Sequence, residues 1–200
     1  MIHVSIPSLC ELATISLWTS LFVAHIPYFS NNSEQEPDHA VLIEDVDLSQ
    51  VFYYEVTDQF PSLWMAFEGR EGQQVSFRIG IPKIESLKFF RPALALVGPG
   101  FPSVVLPFDI PAGLGGRVFP ADKDEPEEFH EPFSNSDSWM FRKIRVALPQ
   151  SGRYYLIAYS PSHENGKLWV AVGEKEHFSP GQIGRLLIWI RQIREFHSRG

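Results

Sequence analysis

Cysteine is all but missing from this chain of 200 residues. Its one thiol, Cys10, stands in an apolar N-terminal stretch, which removes a disulfide framework, a thiolate metal site and a cysteine nucleophile from everything downstream. Lys and Arg are absent before Arg70, whereas ten acidic residues run from Glu11 to Glu68. The net charge is −7, and all 17 basic residues fall within 70–200. A general nucleic-acid binder carries a basic surplus gathered on one face, so nucleic acid is not expected as a partner. None of the patterns G-x-S-x-G, H-E-x-x-H or G-x-x-x-x-G-K-[ST] occurs, and Gly113-Leu114-Gly115-Gly116 is too short and wrongly framed for a phosphate loop. No catalytic residue is assigned. A long helical pattern is also lacking, except at the C-terminus.

What the chain does have is turns, aromatics and β-branched runs. With 16 Pro, 14 Gly and 16 Phe, the composition favours sheets joined by many turns over a helical bundle. Period-two alternation is clear in Val75, Phe77, Ile79 and Ile81, with Gln74, Ser76, Arg78 and Gly80 between them, and again in Ile144, Val146 and Leu148. Phe52, Tyr54 and Val56 predict another strand, as do Trp64 to Phe67 and Ala93 to Val97 before the Gly98-Pro99-Gly100 turn. Tyr154 to Tyr159 and Leu168 to Val172 complete the series across a polar, glycine-bearing connection in which His163, Glu164 and Asn165 read as hairpin-loop polarity. The fold class expected is mainly β: an antiparallel, jelly-roll-like β-sandwich with a C-terminal amphipathic helix and an apolar N-terminal segment.

Several of these stretches carry a resemblance. Phe52-Tyr53-Tyr54-Glu55-Val56, the Glu71 to Val75 turn into an alternating strand, Pro92 to Pro99, Leu148 to Leu156 and Gly166 to Val170 together resemble the bacterial pre-peptidase C-terminal domain over about residues 50–173. That resemblance implies a non-catalytic, extracytoplasmic sandwich module of the kind appended to secreted or surface proteins. The likeness rests on turn and strand spacing rather than on a chemical motif. This chain departs from the pattern in having no attached peptidase, a long proline-bearing excursion and a C-terminal helix.

The two ends suggest placement. Leu12 to Ala24 is an uncharged, mostly apolar run with the length of a secretory h-region, although no basic residue precedes it and Phe22 spoils a small-x-small cleavage site. Signal peptide, membrane anchor and buried element all stay open. The organisation expected is an apolar targeting or anchor segment over 1–30, an acidic linker over 31–40, the sandwich over 41–178 and the helix over 179–200. Asn31, in Asn31-Asn32-Ser33, is a glycosylation candidate. Ser179 and Pro180 signal the helix start, with Gln182 in capping-box register. Leu186, Leu187, Trp189, Ile190, Arg191 and Arg194 then form a candidate face for a membrane surface or a protein partner, packing on the sandwich being the simpler alternative.

The excursion from Pro107 to Asp137 shows no convincing element, and long loops are frequent homes of function. Its Asp122, Asp124, Glu127, Glu128 and His130 are candidate metal ligands, with oxygens enough for Ca2+ although the EF-hand register is missing. No other cofactor is expected. Trp64, Trp139, Trp169, Tyr53, Tyr155 and Tyr159 are read as core before sugar-stacking surface. The functional expectation is a non-catalytic binding or accessory module, secreted or membrane-associated. The alternatives are a hydrolase using the carboxylates and histidine of the loop, or a calcium- or carbohydrate-binding adhesion domain.

Overall fold

The computed structural model describes residues 25–176 and 184–198. Among them lie twelve strands and one α-helix: β1 (Ile26–Phe29), β2 (Val41–Leu42), β3 (Gln50–Val56), β4 (Ser62–Gly69), β5 (Gln74–Pro82), β6 (Ala93–Gly98), β7 (Gly115–Pro120), β8 (Glu127–Glu131), β9 (Ser136–Met140), β10 (Ile144–Ala147), β11 (Gly152–Tyr159), β12 (Gly166–Val172) and α1 (Leu186–Ser198). They form two sheets. One runs β1-β3-β12-β5-β9-β8, with β10 also on β5; the other runs β2-β4-β11-β6-β7. The pairs are antiparallel except β1 with β3 and β2 with β4, so each sheet is mixed at its first strand.

The expected sandwich is there, and its core includes the alternate residues the sequence marked in β3, β5 and β10. Phe52, Tyr54, Val75, Phe77, Ile79, Ile81, Leu168 and Val170 from one sheet meet Leu63, Met65, Phe67, Leu94, Leu96, Tyr154 and Leu156 from the other. Both outer faces are covered in part as well. Trp64, Ala95, Val97, Tyr155, Ile157 and Tyr159 are sealed by Leu106, Phe108, Ile110 and Leu114 of the segment after β6. Val51, Tyr53 and Trp169 are sealed by Ile193 and Phe196 of α1. Strands buried on both faces read as continuous apolar runs, which is why β4, β6 and β11 show little alternation.

Several expectations are corrected. The excursion over 107–137 is not elementless: its first residues line the second sheet, β7 pairs with β6 in full register, and β8 pairs with β9. Mixed polar patterning and the glycines of β7 conceal these edge strands from periodicity. The β11–β12 connection is not a hairpin, because the two strands belong to different sheets and residues 160–165 cross between them.

Nor is 31–40 a solvated linker. Glu34 is buried, the Trp64 N–H donates to its carbonyl at 2.9 Å, and Gln35 Nε2 donates to the Tyr54 hydroxyl at 2.7 Å. Among the described residues the packed body therefore reaches back into the expected apolar segment, to β1, and is not confined to residues from 41 onward. Leu12–Ala24, Cys10 and the cap signals Ser179, Pro180 and Gln182 lie outside the described residues.

Candidate functional site

Period-two alternation survives only where one face of a strand stays uncovered, and β5 is such a strand. Its inward residues are core, while Ser76, Arg78 and Gly80 face outward between β12 and the β9/β10 edge. At Phe141 to Lys143 the partner of β5 changes from β9 to β10, so Arg78 stands where the ladder is interrupted. Across from it lies Ala171, and Gly80 is opposite Trp169. The small Ala171 leaves the sheet surface low, while the space above Gly80 is taken by the Trp169 ring. The result is a cleft of about 290 Å³, floored by β5 and β12 and walled by β8–β9 and the end of α1.

Its lining divides by chemistry. Tyr53, Phe129, Met140, Trp169 and Ala171 supply apolar surface. Arg78, Lys143, Glu131, His25 and His197 supply titratable groups, and Ser76, Ser136 and Ser138 supply hydroxyls. Lys143 Nζ is held by Glu174 Oε1 at 2.9 Å. Glu174, flanked also by Arg145, has its carboxyl brought down to about 2, chiefly by the Lys143 hydrogen bond and then by the nearby Ser76 hydroxyl. Glu131 Oε1 accepts the Phe133 N–H at 3.0 Å. Burial lowers His25 below the ordinary histidine value, against the opposing pull of Glu131 and Glu176, and its Nδ1 is bonded to Ser49. Burial raises the Tyr53 hydroxyl, with Glu131 adding to the shift.

One chain of hydrogen bonds crosses the cleft wall. Trp169 Nε1–H donates to Ser138 Oγ at 3.1 Å, Ser138 Oγ lies 3.0 Å from His197 Nε2, and His197 Nδ1 lies 2.8 Å from the Ile193 carbonyl. The carbonyl can only accept, so Nδ1 carries the hydrogen and Nε2 accepts from Ser138. Burial lowers the His197 pKa, which keeps the ring neutral as this arrangement requires. A serine and a histidine at this distance have the spacing of a nucleophile and its base. Here Ser138 is 4% exposed and its oxygen already accepts the indole N–H, so the pair fastens α1 to β9 and β12.

The residues singled out from the sequence are scattered by comparison. Asp124 pairs with Arg142 at 3.4 Å, Glu128 with Lys83 at 2.7 Å, and His130 with Asp137 at 2.8 Å. Asp122 and Glu127 are exposed on their own, and among the described residues no three His, Cys, Asp or Glu side chains gather to hold a metal ion. Neither the acid–base set of a hydrolase nor a calcium cage is assembled in the loop. The six aromatic candidates are all buried.

Asn31 is exposed, its Oδ1 accepting from Ser33 N at 3.0 Å and Ser33 Oγ at 2.6 Å. On α1, Trp189 is buried, Leu186 and Ile190 are half-buried, and Arg194 Nε donates to the Ser134 carbonyl at 2.6 Å. Leu187 and Arg191 point outward, joined by Ile188. Sequence reasoning passed over Arg78, Ser138 and His197; the outward polar residues of β5 were the available signal.

No family model and no curated protein matches the chain. Among solved structures it is similar to the pre-peptidase C-terminal domain of collagenase from Bacillus anthracis, at 9% identity and a TM-score of 0.34, covering 66% of this chain and 91% of that one. It is also similar to CorA, a surface-associated copper-binding protein of Methylomicrobium album BG8, at 10% identity and a TM-score of 0.35, covering 68% and 98%. A third is MopE, a secreted protein of Methylococcus capsulatus, at 11% identity and a TM-score of 0.29, covering 61% and 72%. A pre-peptidase C-terminal domain is thus among the similar structures, and at these scores the likeness carries no argument across to this chain.

Proposed function

We propose that this chain is a non-catalytic β-sandwich module, secreted or membrane-associated, that binds an anionic membrane surface through the outward side of α1. The observation that carries the reading is the division of that helix. Its inner side is docked through Trp189 and Ile193, while Leu187 is 81% and Ile188 51% exposed, next to exposed Arg185 and Arg191. Apolar side chains beside arginines on an exposed helix face suit the boundary between acyl chains and anionic headgroups. Among the described residues no helix is long and apolar enough to cross a membrane, so attachment through α1 is interfacial. The apolar run Leu12 to Ala24 supports extracytoplasmic placement.

Cosedimentation of the full chain with phosphatidylglycerol vesicles is expected to exceed that with phosphatidylcholine vesicles, and the double variant L187S/I188S is expected to lose it. Failure to bind either vesicle removes the membrane reading and leaves the helix side to a protein partner. Cell fractionation tests placement: a wholly cytosolic pool with an uncleaved N-terminus would overturn it.

A further inference from the structure

We infer that the cleft beside α1 is a binding site for a small monocarboxylate with an apolar body, whose carboxylate is held by Arg78. Two buried side-chain polar atoms among the described residues have no hydrogen-bond partner, Ser76 Oγ and Arg78 Nε, and both belong to this cleft. They stand two residues apart on the outward side of β5. Ser76 lies close enough to the Glu174 carboxylate to help lower its pKa, so Arg78 Nε is the atom on which the inference rests. Among the described residues the Arg78 guanidinium makes one hydrogen bond, from Nη1 to the Met140 sulfur at 3.6 Å, a weak acceptor. A buried, charged donor without a partner is costly, and a guanidinium fork is shaped for a planar carboxylate.

The charges present select the valence of the anion. Lys143 is already occupied by Glu174, and Glu131 brings a negative charge to the same cleft. Among the described residues of the lining, Arg78 is then the cation without an acidic partner, and with Glu131 nearby it favours a single negative charge on the ligand and disfavours a phosphate dianion. The rest of the lining, Tyr53, Phe129, Met140, Trp169 and Ala171, then receives an apolar body. A cleft of about 290 Å³ is at the small end of ligand sites, which sets the size of that body. This site stands apart from the membrane reading, since Leu187 and Ile188 do not line it.

The test is a titration of the full chain with hexanoate, and separately with inorganic phosphate, followed by the nuclear magnetic resonance signals of the Arg78 Nε–H and Trp169 Nε1–H. Hexanoate is expected to shift both signals saturably at millimolar concentrations, and phosphate is not. R78M should weaken hexanoate binding by about tenfold or more, the loss expected for a charge-assisted pair. A171L, which fills the cleft and leaves Arg78 in place, should block it; if R78M does not fold, the wild-type titration and A171L decide. L187S/I188S should bind hexanoate like the wild type. The inference is overturned by an absence of saturable shifts in the wild type, by equal binding of phosphate, or by unchanged hexanoate affinity in either cleft variant.

Discussion

Gly80 shows how one missing side chain makes room for a packed ring. A Cβ built there would lie 2.2 Å from Cζ2 of Trp169, whose ring is buried and tied through Nε1 to Ser138, so the ring cannot swing away. Gly80→Ala is expected to lower stability by about 1–3 kcal/mol, the usual cost of overpacking, measured as a lower urea midpoint at an unchanged slope. Glu34 is the second residue with a specific consequence. Burial raises its carboxyl, but hydrogen bonds from Ser30, Tyr28, its own backbone and Ser33 outweigh this and hold it below the ordinary 4.5. A depressed folded-state value means that this contribution is complete above about 4.5 and is lost as pH falls through the folded value. In Glu34→Gln that part of the acid limb of the stability curve should flatten; an unaltered limb would assign the acid sensitivity to other groups.

Among the elements, α1 depends on a titratable contact. His197 is half-buried against Tyr53 and Ser138; its desolvation lowers the pKa and Lys167 adds to that, with the Ile193 carbonyl and Asp137 opposing the shift. Because the folded value lies below 6.5, the unfolded chain takes up the proton first as pH falls. The contribution of His197 is therefore full above about 6.5 and is lost from there down through the folded value. Amide hydrogen exchange, corrected for intrinsic rates, is expected to show α1 opening more readily at about pH 5 than at about pH 7.5, and His197→Phe should flatten that dependence. The same scale explains what periodicity can detect. In β5, alternation was legible because its outer face is only partly covered and carries polar residues, whereas in β7 and β8 short, polar edge sequences carried too little apolar contrast to register as strands.

At the scale of the molecule, residues 25–40 are part of the sandwich. They add β1 beside β3, place Tyr28 against the Phe52 ring at 5.5 Å, and bring Glu34 to the second sheet through the Trp64 N–H. A chain beginning at Ala40 should unfold less cooperatively and aggregate through the bared edge of β3, while one beginning at His25 should melt as a single transition; calorimetry distinguishes the two. The sequence alone determined the class of fold and the inward residues of β3, β5 and β10, because side chains alternate along a strand and apolar ones seek the dry face. It also located the C-terminal helix by its apolar spacing. Only the tertiary structure decided that β11 and β12 lie in different sheets, that the loop carboxylates stand apart, and that Arg78, Ser138 and His197 share one cleft. Those facts follow from long-range pairing and from which outer surfaces are covered, and local patterning carries neither.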